Sequence, residues 1–84
     1  MNSRESSKLI NLNQLISDHF SKLTKSEKII ANYLRKNQEE AAFLPLGKIA
    51  RQLGLSEATL VRFARSLGFE SYPALRFVMQ DNFN

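Results

Sequence analysis

The side chains best suited to specific recognition chemistry are the guanidinium groups of Arg62 and Arg65. At about 100° per residue on a helix, Leu60 shares one face with Phe63, Ala64 and Leu67, while the opposite face carries Ala58, Arg62, Arg65 and Ser66. A guanidinium group can donate two parallel hydrogen bonds to O6 and N7 of guanine, which gives about 1 to 3 kcal/mol of discrimination between bases. The pattern predicts a helix that reads bases with its exposed face, with Arg62 as the strongest candidate.

Two further residues of this helix have competing interpretations. Glu57 could accept a hydrogen bond from N4 of cytosine, but a carboxylate in the first turn is equally explained by its favourable interaction with the helix dipole. Val61 lies at the flank, where it could touch a thymine methyl group; packing at the edge of the core is the favoured interpretation.

The helix that carries Arg62 and Arg65 needs a second helix and a tight turn to position its exposed face. The segment 46–65 has suitable residues for both. Gly54 follows an apolar-periodic segment and can adopt the positive φ that ends a helix. Ser56 can then cap the next helix by accepting from the backbone N–H of Ala58 or Thr59. Ala50 is small enough to let the two helices cross closely. These features predict a helix-turn-helix.

Basic residues are concentrated in the same unit. Residues 46–69 carry Lys48, Arg51, Arg62 and Arg65 against Glu57 alone, a net charge of +3, whereas the whole chain carries +4. A basic surface supplies salt-dependent affinity for phosphates through counterion release, so Lys48 and Arg51 are predicted to contact the DNA backbone. If the helix-turn-helix motif were absent, ordinary solvated charges on helix faces would be the better interpretation of these basic residues.

Helix signals on the N-terminal side predict the elements that support this unit. Residues 1–8 have no apolar period and are predicted to be flexible, and apolar spacings of three and four predict a helix over 9–23. Thr24 and Glu27 form a capping-box pattern that opens a helix ending near Asn37. Asn37 could cap a short helical segment over 38–44.

Helix signals on the C-terminal side complete the predicted fold. Pro45 restricts the residue before it to extended conformations and can itself begin a helix, so the next helix should start at Pro45 or Leu46. Gly68 should end the reading helix, and Ser71 should start a last one. The sequence therefore predicts an all-α bundle of about five to six helices, with the domain over 9–84.

The last helix carries more apolar surface than a terminal helix of a monomer needs, including Leu75, Phe77, Val78 and Phe83. Together with the first helix it is a candidate homodimer interface or a docking face for a following domain. The alternative is that both helices simply cover the core of the monomer.

Composition excludes several classes of function. The 84 residues are 43% apolar, enough for one modest core, and contain no cysteine and a single histidine, His19. Disulfides, thiolate metal sites, a glycine-rich phosphate loop and paired carboxylates on an apolar face are all missing, so neither an enzyme nor a cofactor is expected. The polar start and the lack of an apolar run near about 18 residues predict a cytoplasmic protein without a membrane span.

The quoted residues also resemble a known family. The run LTKSEKIIANYL followed by NQEEAAFLPLGKIARQLGLSEATLVRFARSLGF, over 23–69, is similar to the N-terminal domain of RpiR-type bacterial transcription regulators, and SYPALR extends the similarity. The sequence departs from the usual pattern at Pro45 and Gly47. The resemblance implies a homeodomain-like, DNA-binding helical domain. In the full family pattern it is followed by a SIS domain that senses a phosphosugar, and the regulated genes serve sugar or sugar-phosphate metabolism.

The spacing of Ser56, Thr59 and Arg62 is also similar to the reading helix of lac-type repressors. That similarity implies phosphate contacts by the two hydroxyls and a base contact by Arg62. The leading hypothesis is a domain that binds double-stranded DNA as a dimer, with Glu57, Ala58, Arg62 and Arg65 facing the bases. The competing hypothesis is a helical protein-interaction module, in which apolar or acidic residues would be expected in place of the two arginines.

Overall fold

The computed structural model describes residues 10–83, and this part of the chain contains five α-helices, a 3-10 turn and no strand. In chain order they are α1 (Leu12–His19), the 3-10 turn (Phe20–Lys22), α2 (Lys25–Phe43), α3 (Leu46–Leu53), α4 (Glu57–Ser66) and α5 (Tyr72–Asp81). The predicted all-α fold is confirmed. The predicted flexible segment 1–8 lies outside the described residues.

Each helix start has a local cause, and four of these starts were predicted. Thr24 and Glu27 cap each other's backbone N–H groups at 3.1 and 2.9 Å, a complete capping box. Ser56 and Ser71 accept from the N–H groups three residues on and begin α4 and α5. The start of α3 at Leu46, directly after Pro45, is also confirmed.

Two predicted boundaries were wrong. The first helix begins at Leu12, because the Asn11 side chain accepts from the N–H of Gln14, and it tightens into the 3-10 turn after His19 instead of continuing to Leu23. The segment 38–44 is not a separate capped helix, since α2 continues to Phe43 through a kink at Asn37. The Asn37 side chain donates back to the carbonyl of Tyr33 and does not cap the residues after the kink.

The core lies between α2 and the other helices. α2 packs against α3, α4 and α5, and α4 also contacts α3 and α5. The largest fully buried side chains come from all five helices: Leu12, Ile16, Ile30, Leu34, Ile49, Leu60, Phe63, Leu75 and Met79. Burying apolar surface is the main favourable contribution to folding, so this shared core fixes α3 and α4 relative to each other.

Candidate DNA-binding surface

The turn between α3 and α4 is closed by two backbone hydrogen bonds. Gly54 has φ 71° and donates its N–H to the carbonyl of Arg51, while Leu55 donates to Ala50. This is a Schellman arrangement, which satisfies carbonyls at the end of α3 and requires the left-handed conformation that glycine adopts without strain. Ala50 is buried at the crossing. The predicted helix-turn-helix is therefore present.

The exposed side of α4 carries a connected row of polar side chains spaced by three residues. Ser56 Oγ accepts from the Thr59 backbone N–H at 3.1 Å and lies 2.9 Å from Thr59 Oγ1. Arg62 Nη2 donates to the same Thr59 Oγ1 at 3.3 Å. Ser56 and Arg62 are exposed and Thr59 is half-buried. We call Ser56, Thr59 and Arg62 the donor row.

The donor row offers mainly hydrogen-bond donors to an outside molecule. Thr59 Oγ1 already accepts from Arg62, and Ser56 Oγ already accepts from a backbone N–H. Whichever hydroxyl donates to the other, one hydroxyl proton stays free, and so do most guanidinium N–H groups of Arg62. The row therefore complements acceptors such as phosphate oxygens or O6 and N7 of guanine.

The opposite side of α4 is held firmly in the core. Leu60, Phe63 and Ala64 are completely buried, as the helical period predicted. Ser66 was assigned to the outward face, and it is exposed, but its hydroxyl donates to Glu27 of α2 at 3.0 Å. Core packing and the hydrogen bond to Glu27 hold α4, and with it the donor row, in a fixed position relative to α2.

The remaining predicted site residues are exposed but not joined to the donor row. Lys48 and Arg51 lie on α3, and Ala58 lies in the first turn of α4. Arg65 Nε donates at 3.4 Å to the carbonyl of Glu70, in the turn before α5. Glu57 is exposed too, yet its carboxylate lies beside Gly47 of α3.

The architecture agrees with the comparison to known families. The family described as "Helix-turn-helix domain, rpiR family" matches residues 10–84, nearly the whole chain. The chain belongs to the rpiR family of helix-turn-helix domains. It is 30% identical over 66 residues to the "Uncharacterized HTH-type transcriptional regulator YfhH" of Escherichia coli (strain K12). No solved structure matches it significantly.

The chain spans only part of that relative. The alignment covers 79% of this chain but 23% of the length of YfhH. The chain therefore spans only about a quarter of the length of this relative.

Gly47 lies next to the candidate surface of this rpiR-family domain and was not among the predicted site residues. Gly47 was noted only as a departure from the usual pattern, whereas its missing side chain leaves the space beside the Glu57 carboxylate. A glycine in the first turn of a predicted helix, where it lowers helix propensity, was the available signal.

Residues 10–83 contain neither a clustered set of metal ligands nor a helix that could span a membrane. Among these residues, no group of three or more His, Cys, Asp or Glu side chains is arranged to hold a metal ion. None of the helices in this described part of the rpiR-family domain has the length and apolar character needed to cross a bilayer.

Proposed function

We propose that residues 9–84 form the sequence-specific, double-stranded DNA-binding domain of a bacterial transcription regulator. The observation that carries the proposal is the donor row on the exposed face of α4, directly after the helix-turn-helix turn. Membership of the rpiR family and the description of YfhH as a transcriptional regulator support it. In this proposal the N-terminal turns of α4 enter the major groove.

The proposed roles differ between the two helices. Arg62 reads a base edge from α4, because its fork matches the two acceptors of guanine. Arg65 and Ala58 face the bases beside it. Lys48 and Arg51 on α3 neutralise phosphates and set the register of the domain on the duplex.

Ser56 and Thr59 are proposed to contact the DNA backbone. One hydroxyl proton of this pair is free to donate to a phosphate oxygen without breaking the cap that starts α4. The helix N-terminus itself favours a phosphate at this position, since its dipole is positive there. Glu57 was predicted either to face the bases or to interact with a helix dipole. The position of its carboxylate beside Gly47 of α3 favours the interaction with a helix dipole.

A binding titration with duplex DNA at low and high salt tests the proposal. Random duplexes should bind with an affinity that falls steeply as salt increases, and a selection from a random duplex library should yield a defined preferred sequence. Lys36→Ala removes an exposed cation on α2 and serves as a charge-matched control for Lys48→Ala, which should weaken binding more. Binding that is absent at low salt would reject the proposal in favour of a protein-interaction module.

We further propose that two copies bind one pseudo-palindromic operator, with half-sites about 34 Å or a multiple of it apart. Leu75 and Val78, which were predicted to add to the apolar surface of the last helix, are buried in the core instead. The apolar side chains that remain exposed on or beside the first and last helices support a contact between copies. Phe77 is 64% exposed, and Ile10 and Phe83, which line one hollow, are 40% and 43% exposed. Sedimentation of the domain with its selected duplex should give two domains per duplex, and a single domain on an asymmetric site would contradict this proposal.

For the whole protein, the resemblance to RpiR-type regulators supports control of sugar or sugar-phosphate genes, with a phosphosugar sensed by a SIS domain. Calorimetric titration of the full-length regulator with a panel of phosphosugars should identify a ligand that also changes operator affinity. If no phosphosugar binds, this part of the proposal fails, while DNA binding by residues 9–84 is judged separately.

A further inference from the structure

The carboxylate of Glu57 lies where a side chain at position 47 would be. A Cβ added to Gly47 would lie 2.7 Å from Glu57 Oε2 and 3.7 Å from its Cδ. The first distance is well below van der Waals contact, so a methyl group at Gly47 and the present position of this carboxylate exclude each other. The absence of a side chain at position 47 is therefore what lets Glu57 lie against α3.

The partial positive charge at the N-terminus of α3 also favours the observed position of the Glu57 carboxylate. Pro45 precedes the first turn of α3 and provides no side-chain hydrogen bond to its backbone N–H groups. The N-terminus of a helix carries partial positive charge, and a nearby carboxylate interacts with it favourably. Glu57 belongs to α4, yet it places its negative charge beside the second residue of α3.

This position matters for the surface of α4. Glu57 immediately follows Ser56, the first member of the donor row, and belongs to the turn proposed to enter the major groove. An outward carboxylate there would repel phosphates and could accept from N4 of cytosine. A carboxylate turned toward α3 repels phosphates less and is less able to accept from N4 of cytosine.

We propose that Gly47 is a specificity-determining residue of the DNA-binding surface, acting by withdrawing the Glu57 carboxylate from the donor row. Gly47 itself contacts no base in this proposal; it positions Glu57. The inference rests on the proposed DNA-binding function and adds a prediction about a residue of α3 that presents no side chain to the duplex.

A four-protein cycle tests the inference: the parent domain, Gly47→Ala, Glu57→Gln and the double variant. Affinity is measured for the duplex that the parent selects. Gly47→Ala should weaken this binding about tenfold, within the range for one unfavourable group at a base-reading interface. In the Glu57→Gln background the same change should cost less than about twofold, because an amide carries no charge to repel phosphates.

Library selection gives a second readout. The Gly47→Ala protein should gain preference for cytosine at one position, and the double variant should lose that gain. Circular dichroism and thermal midpoints check folding, and Gly47→Ser repeats the test with a second small side chain. The methyl group displaces only the far end of a flexible side chain, so all variants should remain helical.

The outcomes separate the two proposals. If the parent domain binds no duplex selectively, the DNA-binding function itself fails. If the parent binds selectively but Gly47→Ala changes affinity equally in both Glu57 backgrounds, or selects the parent sequence, the role assigned to Gly47 is wrong.

Discussion

Glu27 on α2 and Ser66 at the end of α4 are joined by a hydrogen bond of 3.0 Å between Ser66 Oγ and Glu27 Oε2. The other carboxylate oxygen of Glu27 accepts from the Thr24 backbone N–H at 2.9 Å. Glu27 is only 6% exposed. One buried carboxylate therefore completes the cap of α2 and fixes the C-terminal end of the helix that carries the donor row.

Replacing Glu27 by Ala should lower the free energy of unfolding by about 2 kcal/mol, because it removes half of the capping box and leaves two donors without this acceptor. Ser66→Ala removes only the hydrogen bond from α4 to Glu27 of α2 and should cost about 1 kcal/mol. Urea unfolding measures both. Glu27→Gln is the control, since its amide oxygen can still accept from Thr24, and a loss as large as that of Glu27→Ala would contradict this account.

Replacing Gly54 by Ala should destabilise the domain by about 1 to 2 kcal/mol, the cost of the left-handed conformation for an alanine. The position has φ 71°, and an added Cβ would meet no atom within 4 Å, so backbone strain is the sole contribution expected. Asparagine tolerates this conformation better, so Gly54→Asn should lose less. Equal losses for both variants, measured by thermal or urea unfolding, would show that the strain argument is wrong.

Replacing Arg76 by Ala should loosen the junction between α2 and α3. Arg76 Nη2 donates to the carbonyl of Leu44, the residue that directly follows α2, and Gln80 donates to the carbonyl of Ala42 at 2.9 Å. A charged donor contributes about 1.5 to 3 kcal/mol and a neutral one about 1 kcal/mol, so Arg76→Ala should cost more than Gln80→Ala. Arg76→Ala should also speed backbone hydrogen exchange in the first turn of α3. Unchanged exchange in this turn would show that Arg76 does not stabilise the junction between α2 and α3.

The Tyr72 hydroxyl should make the fold sensitive to alkaline pH. Burial raises the pKa of Tyr72 above its ordinary value, and the charge of Arg76 partly offsets this. Below about pH 10 the phenol is protonated in the folded and the unfolded chain; above it the unfolded chain loses the proton first, so stability falls as pH rises.

Tyr72→Phe should therefore lose less stability than the parent between neutral pH and pH values above about 10. At neutral pH the substitution should be nearly neutral, because the buried hydroxyl has no hydrogen-bond partner among the described residues. Urea unfolding across this pH range makes the comparison. Parallel curves for the two proteins would show that Tyr72 does not contribute.

Arg62→Ala and Lys48→Ala should weaken DNA binding in different ways. Loss of the Arg62 fork should relax preference at one base pair, at a cost of about 1 to 3 kcal/mol on the selected duplex. Loss of Lys48 should weaken all duplexes alike and reduce the slope of affinity against salt. Uniform weakening by both variants, with unchanged selectivity, would remove Arg62 from the base-reading role.

Local signals in the sequence predicted much of this fold because their causes are local. The hydroxyl caps at Thr24, Ser56 and Ser71 act within three residues, and so could be recognised from the chain alone. The same applies to Gly54 and Gly68, whose positive φ values end α3 and α4. The helix end predicted near Asn37 was wrong: the structure has a kink at that residue, because two helical segments can continue across one distorted residue.

The sequence by itself determined the helix-turn-helix, the buried face of α4 and the candidate donors on its exposed face, since helical period and capping depend on neighbours along the chain. Only the tertiary structure decided where Glu57 and Ser66 direct their polar groups. Glu57 lies against Gly47, ten residues away, and Ser66 donates to Glu27, 39 residues away. Such contacts depend on how helices pack in three dimensions, which helical periodicity along one segment does not specify.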